Sequence, residues 1–198
     1  MSGHRASPGV PTVSSIVLTG FMGAGKTTVG ELLAARLGWR FVDTDRVVEE
    51  RAGMTVGEIF ESRGEAAFRE MEAAAIRDTA AGGQLVLALG GGALERAETR
   101  EFVAGLSRCR VIFLDAPLET LLARCAGHSG GPVRPVLRNP QALADRWQAR
   151  LPWYRQAHLT IPTAEGTPQA VVECILSALA DPTDCSSGRS AIDRGVPA

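Results

Sequence analysis

The segment Gly20-Phe21-Met22-Gly23-Ala24-Gly25-Lys26-Thr27-Thr28 spaces its residues as G-x-x-x-x-G-K-[ST]. That spacing suits the holding of a nucleotide's phosphates. Glycines let the backbone turn tightly enough for successive N–H groups to face an anion. A helix that starts where the loop ends aims its positive pole at the same point. Lys26 can reach the β- and γ-phosphates, and the Thr27 hydroxyl can ligate Mg²⁺. Lys26 is also the only lysine among 21 basic residues. A compact, flexible ammonium does here what a planar guanidinium does badly.

Other residues of chemical interest lie far away in sequence. Asp43 and Asp45 stand two apart at the end of an expected strand. One division of labour gives Asp43 to Mg²⁺ and turns Asp45 to a second substrate, whose hydroxyl proton it accepts. The bland alternative is a pair of turn or helix-capping aspartates. Gly90-Gly91-Gly92 follows another apolar run and exposes backbone N–H groups. Arg69 and Glu72, three apart on a helix, are either a surface pair or a buried arginine aimed at a carboxylate; the spacing fits both. Arg134 lies in a Gly/Pro-rich stretch and Arg150 on the helix after it. An arginine there could close over a γ-phosphate and exclude water. Asp115 ends an apolar run and imitates a metal-holding aspartate, but Asp43 is the better candidate.

The elements that must position these groups alternate along the chain. Strands are expected at 15–19, 39–42, 84–89, 110–115 and 158–161. Helices are expected at 28–37, 46–51, 55–60, 65–80, 95–104, 117–126, 141–157 and 167–180. Strand, helix and strand in alternation imply a parallel sheet with helices on its faces. Ligands of such sheets gather at the carboxyl ends of the strands. The loop at 20–28, Asp43/Asp45 and Gly90–Gly92 all follow strands and should converge there. Residues 1–14 and 181–198 are expected as loose tails around one domain at 15–180, with a lid at about 127–140.

Composition narrows the class. The chain has 198 residues, 45% apolar and 22% charged, with a formal charge of −1. These are the proportions of one globular domain, and nothing in them argues for nucleic-acid or membrane partners. Cys109, Cys125, Cys174 and Cys185 are scattered, as reduced thiols in a cytoplasmic protein would be. The N-terminal residues lack the apolar core of an export signal.

The full set has a wider likeness. Gly-Phe-Met-Gly-Ala-Gly-Lys-Thr-Thr-Val-Gly, Asp43-Thr44-Asp45, Phe68-Arg69-x-x-Glu72, Gly90-Gly91-Gly92-Ala93, Arg134-Pro135-Val136-Leu137 and Arg150-x-Pro152-x-Tyr154 together resemble the shikimate kinases over roughly 15–180. The resemblance implies an α/β, three-layer P-loop kinase fold whose five-stranded parallel sheet runs 2-3-1-4-5, with a lid loop. It implies a monomer that transfers the γ-phosphoryl group of ATP to the 3-hydroxyl of shikimate, with Mg²⁺. Gly23, Ala24, Gly25, Lys26, Thr27 and Thr28 would hold ATP, with Arg124 against adenine and Arg134 closing from the lid. Thr27 and Asp43 would serve Mg²⁺. Asp45, Arg69, Gly90, Gly91, Gly92 and Arg150 would hold shikimate. Lys26, Asp45 and Arg134 would be catalytic.

Two departures from the family pattern stand out: a longer stretch between Arg124 and Arg134, and Gly166 where some members carry an adenine-contacting arginine. Rival readings are a gluconate or nucleotide kinase, and a nucleotide-binding protein without catalysis.

Overall fold

The computed structural model describes residues 13–127 and 140–180. The expected lid with Arg134, residues 1–12 of the first tail and the second tail lie outside the described residues. Val13 is buried, and the Ser14 N–H donates to the Arg108 carbonyl at 2.7 Å.

Five strands form one parallel sheet: β1 (Ser15–Thr19), β2 (Arg40–Asp43), β3 (Leu85–Ala88), β4 (Cys109–Asp115) and β5 (Leu159–Pro162). Their spatial order is β2-β3-β1-β4-β5, the expected one. β1 and β3 are buried along their whole length, because β-branched and leucine side chains meet helices on both faces. The register sets Leu18 and Asp43 both beside Ala88, so three chain segments leave the sheet at one level. Each of the three carries a motif.

The connecting helices are α1 (Lys26–Leu37), α2 (Thr44–Ala52), α3 (Val56–Thr79), α4 (Ala97–Ala104), α5 (Leu118–Gly127), α6 (Pro140–Tyr154) and α7 (Pro168–Ala180). Several expected helix bounds are refined; α1 starts at Lys26 and α6 ends at Tyr154. The helices expected at 55–60 and 65–80 are joined in α3 across a break at Gly64, whose φ of 81° and ψ of 169° are not helical. The helix expected at 95–104 is divided: Ala93–Glu95 form one 3₁₀ turn, Arg96 is extended, and α4 starts at Ala97. α2 also starts earlier than expected, because the Asp43 carboxylate accepts from the Asp45 N–H and caps it.

The main core lies against both faces of the sheet, centred on Ile16, Leu18, Leu33, Leu87 and Ile112. A second cluster, Val48, Ile59, Phe68 and Ala75, glues α2 to α3 away from the sheet. It fixes the helix that carries Arg69 and Glu72 relative to the one that begins at Asp43. Ile59 is fully buried there. Ile59→Ala should lower the unfolding free energy by about 2–5 kcal/mol, read from urea denaturation. A loss well under about 1 kcal/mol would mean that the two helices re-pack freely.

Candidate active site

The glycine loop runs from β1 into α1. Gly25 precedes the helix with φ 88°, no side chain caps it, and its first turn holds no acidic residue. No acidic residue of α1's own first turn offsets the positive pole that faces the loop. Gly23, at φ 77°, packs so closely on α5 that a methyl group there would overlap the Leu121 carbonyl. The Lys26 ammonium donates to the carbonyls of Gly20 at 2.8 Å and Phe21 at 3.0 Å, which keeps it at the loop's mouth. Ala24 is buried beneath the loop, while Thr28 is exposed on α1.

The Thr27 hydroxyl donates to the Asp43 carboxylate at 2.7 Å, across the gap between α1 and β2. Asp43 caps α2 with one oxygen and meets Thr27 with the other. Thr27 and Asp43 together offer hard oxygen donors, the ligand type that Mg²⁺ prefers when it also binds phosphates. Asp115 ends β4. Its main-chain carbonyl accepts from the Thr163 N–H at 2.7 Å, and burial pushes its carboxyl up against the pull of Arg155.

Across the cleft, Gly90–Gly92 lead from β3. The Gly90 N–H donates to the buried Thr44 hydroxyl at 2.9 Å, which ties this turn to the Asp-x-Asp segment. A methyl group on Gly90 would overlap the carboxylates of Glu72 and Asp45. One on Gly92 would overlap the Arg69 guanidinium and lie 2.9 Å from Nη2 of Arg150. Here glycine is demanded by close approach. Two guanidiniums and two carboxylates crowd onto three residues without side chains. The turn also touches the phosphate loop: a methyl on Gly91 would be 3.8 Å from the Met22 nitrogen.

The undecided pair is thus decided as buried. Arg69 donates to Glu72 at 2.8 Å, with side chains 11% and 2% exposed. Nε of Arg69 and Oε1 of Glu72 have no partner among the described residues. Arg150 is buried on α6 and lies over the Phe21 ring, 5.7 Å from its centre. Arg124 joins α5 to the loop before α7, donating to the Thr163 and Ala164 carbonyls, the Thr163 hydroxyl and, at 3.5 Å, the Gly23 carbonyl.

Two partnerships went unseen in the sequence. The Tyr154 hydroxyl donates to the Gly91 carbonyl, and Glu95 Oε1 accepts from Nε of Arg150 at 2.6 Å. Tyr154 stood in the quoted motif without a task. Glu95 carried no signal beyond lying three residues after Gly92.

Burial pushes the Glu72 carboxyl up to about 7; the charge and hydrogen bond of Arg69 pull it back, and the charge of Asp45 pushes it up again. The unfolded chain releases that proton near the ordinary value of 4.5, and the folded protein keeps it to higher pH. The stabilising contribution of this group is therefore full below 4.5 and is lost as pH rises towards 7. Glu72→Gln, which cannot ionise, should flatten that part of the stability–pH curve. Parallel curves for the two proteins in urea unfolding would contradict this assignment.

The chain is similar to known proteins over most of its length. The model of the shikimate kinase family matches residues 22–180. The shikimate kinase of Psychrobacter arcticus is 44% identical over 174 residues, covering 86% of this chain and 91% of that one. That of Symbiobacterium thermophilum is 47% identical over 169 residues, covering 83% and 95%. The solved shikimate kinase of Acinetobacter baumannii in complex with shikimate superposes with a TM-score of 0.79 at 38% identity, covering 88% of this chain and 97% of that one. With a family model matching residues 22–180 and relatives 44% and 47% identical over 86% and 83% of it, the chain belongs to the shikimate kinase family.

Proposed function

We propose that the two walls of this cleft divide the work of the family's reaction, in which ATP and shikimate give ADP and shikimate 3-phosphate. The carrying observation is the convergence of Arg69 and Arg150 on Gly92, beside Asp45 and against the phosphate loop. Two buried guanidiniums suit a carboxylate; adjacent acids suit hydroxyls. An acidic polyol meets both demands, and a nucleotide acceptor would bring its negative charge next to Asp45 and Glu72.

On the phosphate wall, Gly23–Thr28 and the N-terminus of α1 hold the β- and γ-phosphates. Lys26 follows the charge that builds on the transferred group. Thr27 and Asp43 would hold Mg²⁺, which supplies charge neutralisation between the phosphates. Arg124 contacts the nucleotide from the adenine side, and Arg134 serves as the closing arginine.

On the acceptor wall, Arg69 and Arg150 take the carboxylate of shikimate. The backbone of Gly90–Gly92 and the carboxylate of Asp45 take its hydroxyls. Asp45 accepts the proton of the 3-hydroxyl as that oxygen attacks the γ-phosphorus in line; the bond to the bridging oxygen breaks and ADP leaves. The unpartnered Oε1 of Glu72 and Nε of Arg69 would gain partners when the polyol fills the cleft. The reading also takes the chain as a monomeric cytoplasmic protein with one kinase domain over 15–180. No helix among the described residues is long and apolar enough to cross a membrane.

ADP release should depend on shikimate, and should not occur with gluconate or a nucleoside monophosphate in its place. ATP binding without release in any of these mixtures would overturn the catalytic reading. Asp45→Asn should lower kcat by about 10²–10⁴ while ATP binding stays near wild type. Full turnover by that variant would remove Asp45 from the base role. Lys26→Met should lose most of kcat while its urea midpoint stays close to the parent's, since the lysine acts on phosphate charge.

A further inference from the structure

Glu95 lies on the 3₁₀ turn that follows Gly92. Its carboxylate spans the two arginines of the acceptor wall. Oε1 accepts from Nε of Arg150 at 2.6 Å, and Oε2 lies 3.8 Å from Nη2 of Arg69. One oxygen towards each guanidinium is the arrangement that a bound carboxylate would adopt between them.

We propose that Glu95 is a built-in competitor: it occupies the carboxylate seat between Arg69 and Arg150 and is displaced when the acidic substrate binds. This rests on the reading of those two arginines as the carboxylate seat.

Three observations support displacement over a fixed structural role. First, the cluster divides by exposure. Arg69, Glu72 and Arg150 are 11%, 2% and 8% exposed at the side chain, whereas Glu95 is 38% exposed. Glu95 is therefore already partly hydrated and can swing into water, whereas the others are enclosed by the protein. Second, Arg69 does not need Glu95. It already donates to Glu72 at 2.8 Å and to Glu65 at 3.1 Å, and its contact with Glu95 is the longest of the three. Third, the turn's backbone is held independently of the carboxylate. Arg100 donates to the carbonyls of Leu94 at 2.7 Å and Glu95 at 2.8 Å, and its guanidinium stacks 3.8 Å from the centre of the Trp153 ring on α6. The Glu95 side chain can rotate away while the main chain beside Gly92 stays in place.

The physical reason for such a device is charge. Two guanidiniums converging on Gly92 repel each other and need a counter-ion. Glu95 supplies one that leaves easily. Its departure subtracts from the binding energy of any incoming carboxylate, so it sets affinity for the acceptor and leaves the chemistry alone. Removing an interaction lost equally in the ground state and the transition state changes KM without changing kcat.

The test is steady-state kinetics of Glu95→Gln and Glu95→Asp, with thermal shifts on adding shikimate without nucleotide. Glu95→Gln should lower the KM for shikimate about three- to tenfold. Its kcat and its KM for ATP should stay within error, and its melting temperature should rise more on shikimate binding than that of the parent. Glu95→Asp keeps the charge but is too short to bridge, so it should follow Glu95→Gln. A KM that rises in Glu95→Gln would make Glu95 an aligner of Arg150 and overturn the proposal. An unchanged KM would overturn it too, as would wild-type behaviour of Glu95→Asp. The underlying seat is checked separately: Arg150→Ala and Arg69→Ala should each raise the KM for shikimate. If they do not, the carboxylate binds elsewhere and the reading of the acceptor wall fails, whatever Glu95 does.

Discussion

The hydrogen-bond ladder of the parallel sheet is the constraint on which every other feature depends. Parallel pairing runs all strands the same way, so their carboxyl ends emerge on one side. With β3 between β1 and β2, the chain segments after these three strands become neighbours, although they are tens of residues apart. The register then fixes their height, with Asp43, Ala88 and Leu18 side by side. A slip of one residue would turn Asp43 to the opposite face and remove it from Thr27. The hydrogen bond from Gly90 to Thr44 locks two of the segments together after the ladder has ended.

Charge is the second constraint, and it explains the glycines. The acceptor wall gathers Arg69, Arg150, Glu72, Glu95 and Asp45 in a small volume. Buried charges are tolerated only when paired and hydrogen-bonded. Gly90 and Gly92 leave space for the carboxylates on one side and the guanidiniums on the other, so the pairing can be dense. Arg69 meets three acids, Glu65, Glu72 and Glu95. The phosphate wall is built differently. Its positive field comes from a helix pole and one ammonium, and the acid beside them, Asp43 on the Thr27 hydroxyl, comes from β2.

What could be read from the sequence follows from these constraints. The glycine loop, the Asp-x-Asp pair and the glycine triplet were legible because each follows directly on a strand, and the sheet fixes where strand ends go. Arg69 and Glu72 were recognisable as a pair, but their burial was not. That depends on the Gly64 break and on the Phe68 cluster, which aim this half of α3 at the cleft. Glu95 was invisible as a site residue. Its direction depends on the extended Arg96, which interrupts an otherwise helical pattern, and its partner Arg150 lies 55 residues away on α6. Tyr154 has the same history, since its hydroxyl reaches Gly91 across 63 residues. Local spacing carries information about local turns, and contacts between a turn and a distant helix face fall outside it.

The solitary lysine makes the phosphate loop chemically addressable. In this chain, a reagent that modifies side-chain amines has one target, and a protease that cuts after lysine has one bond, Lys26–Thr27, at the start of α1. That bond lies in the loop that a nucleotide would cover. Amine labelling or limited digestion therefore turns into a direct, residue-resolved gauge of occupancy, with no mutation. In a lysine-rich relative the same reagents would report an average over the whole surface.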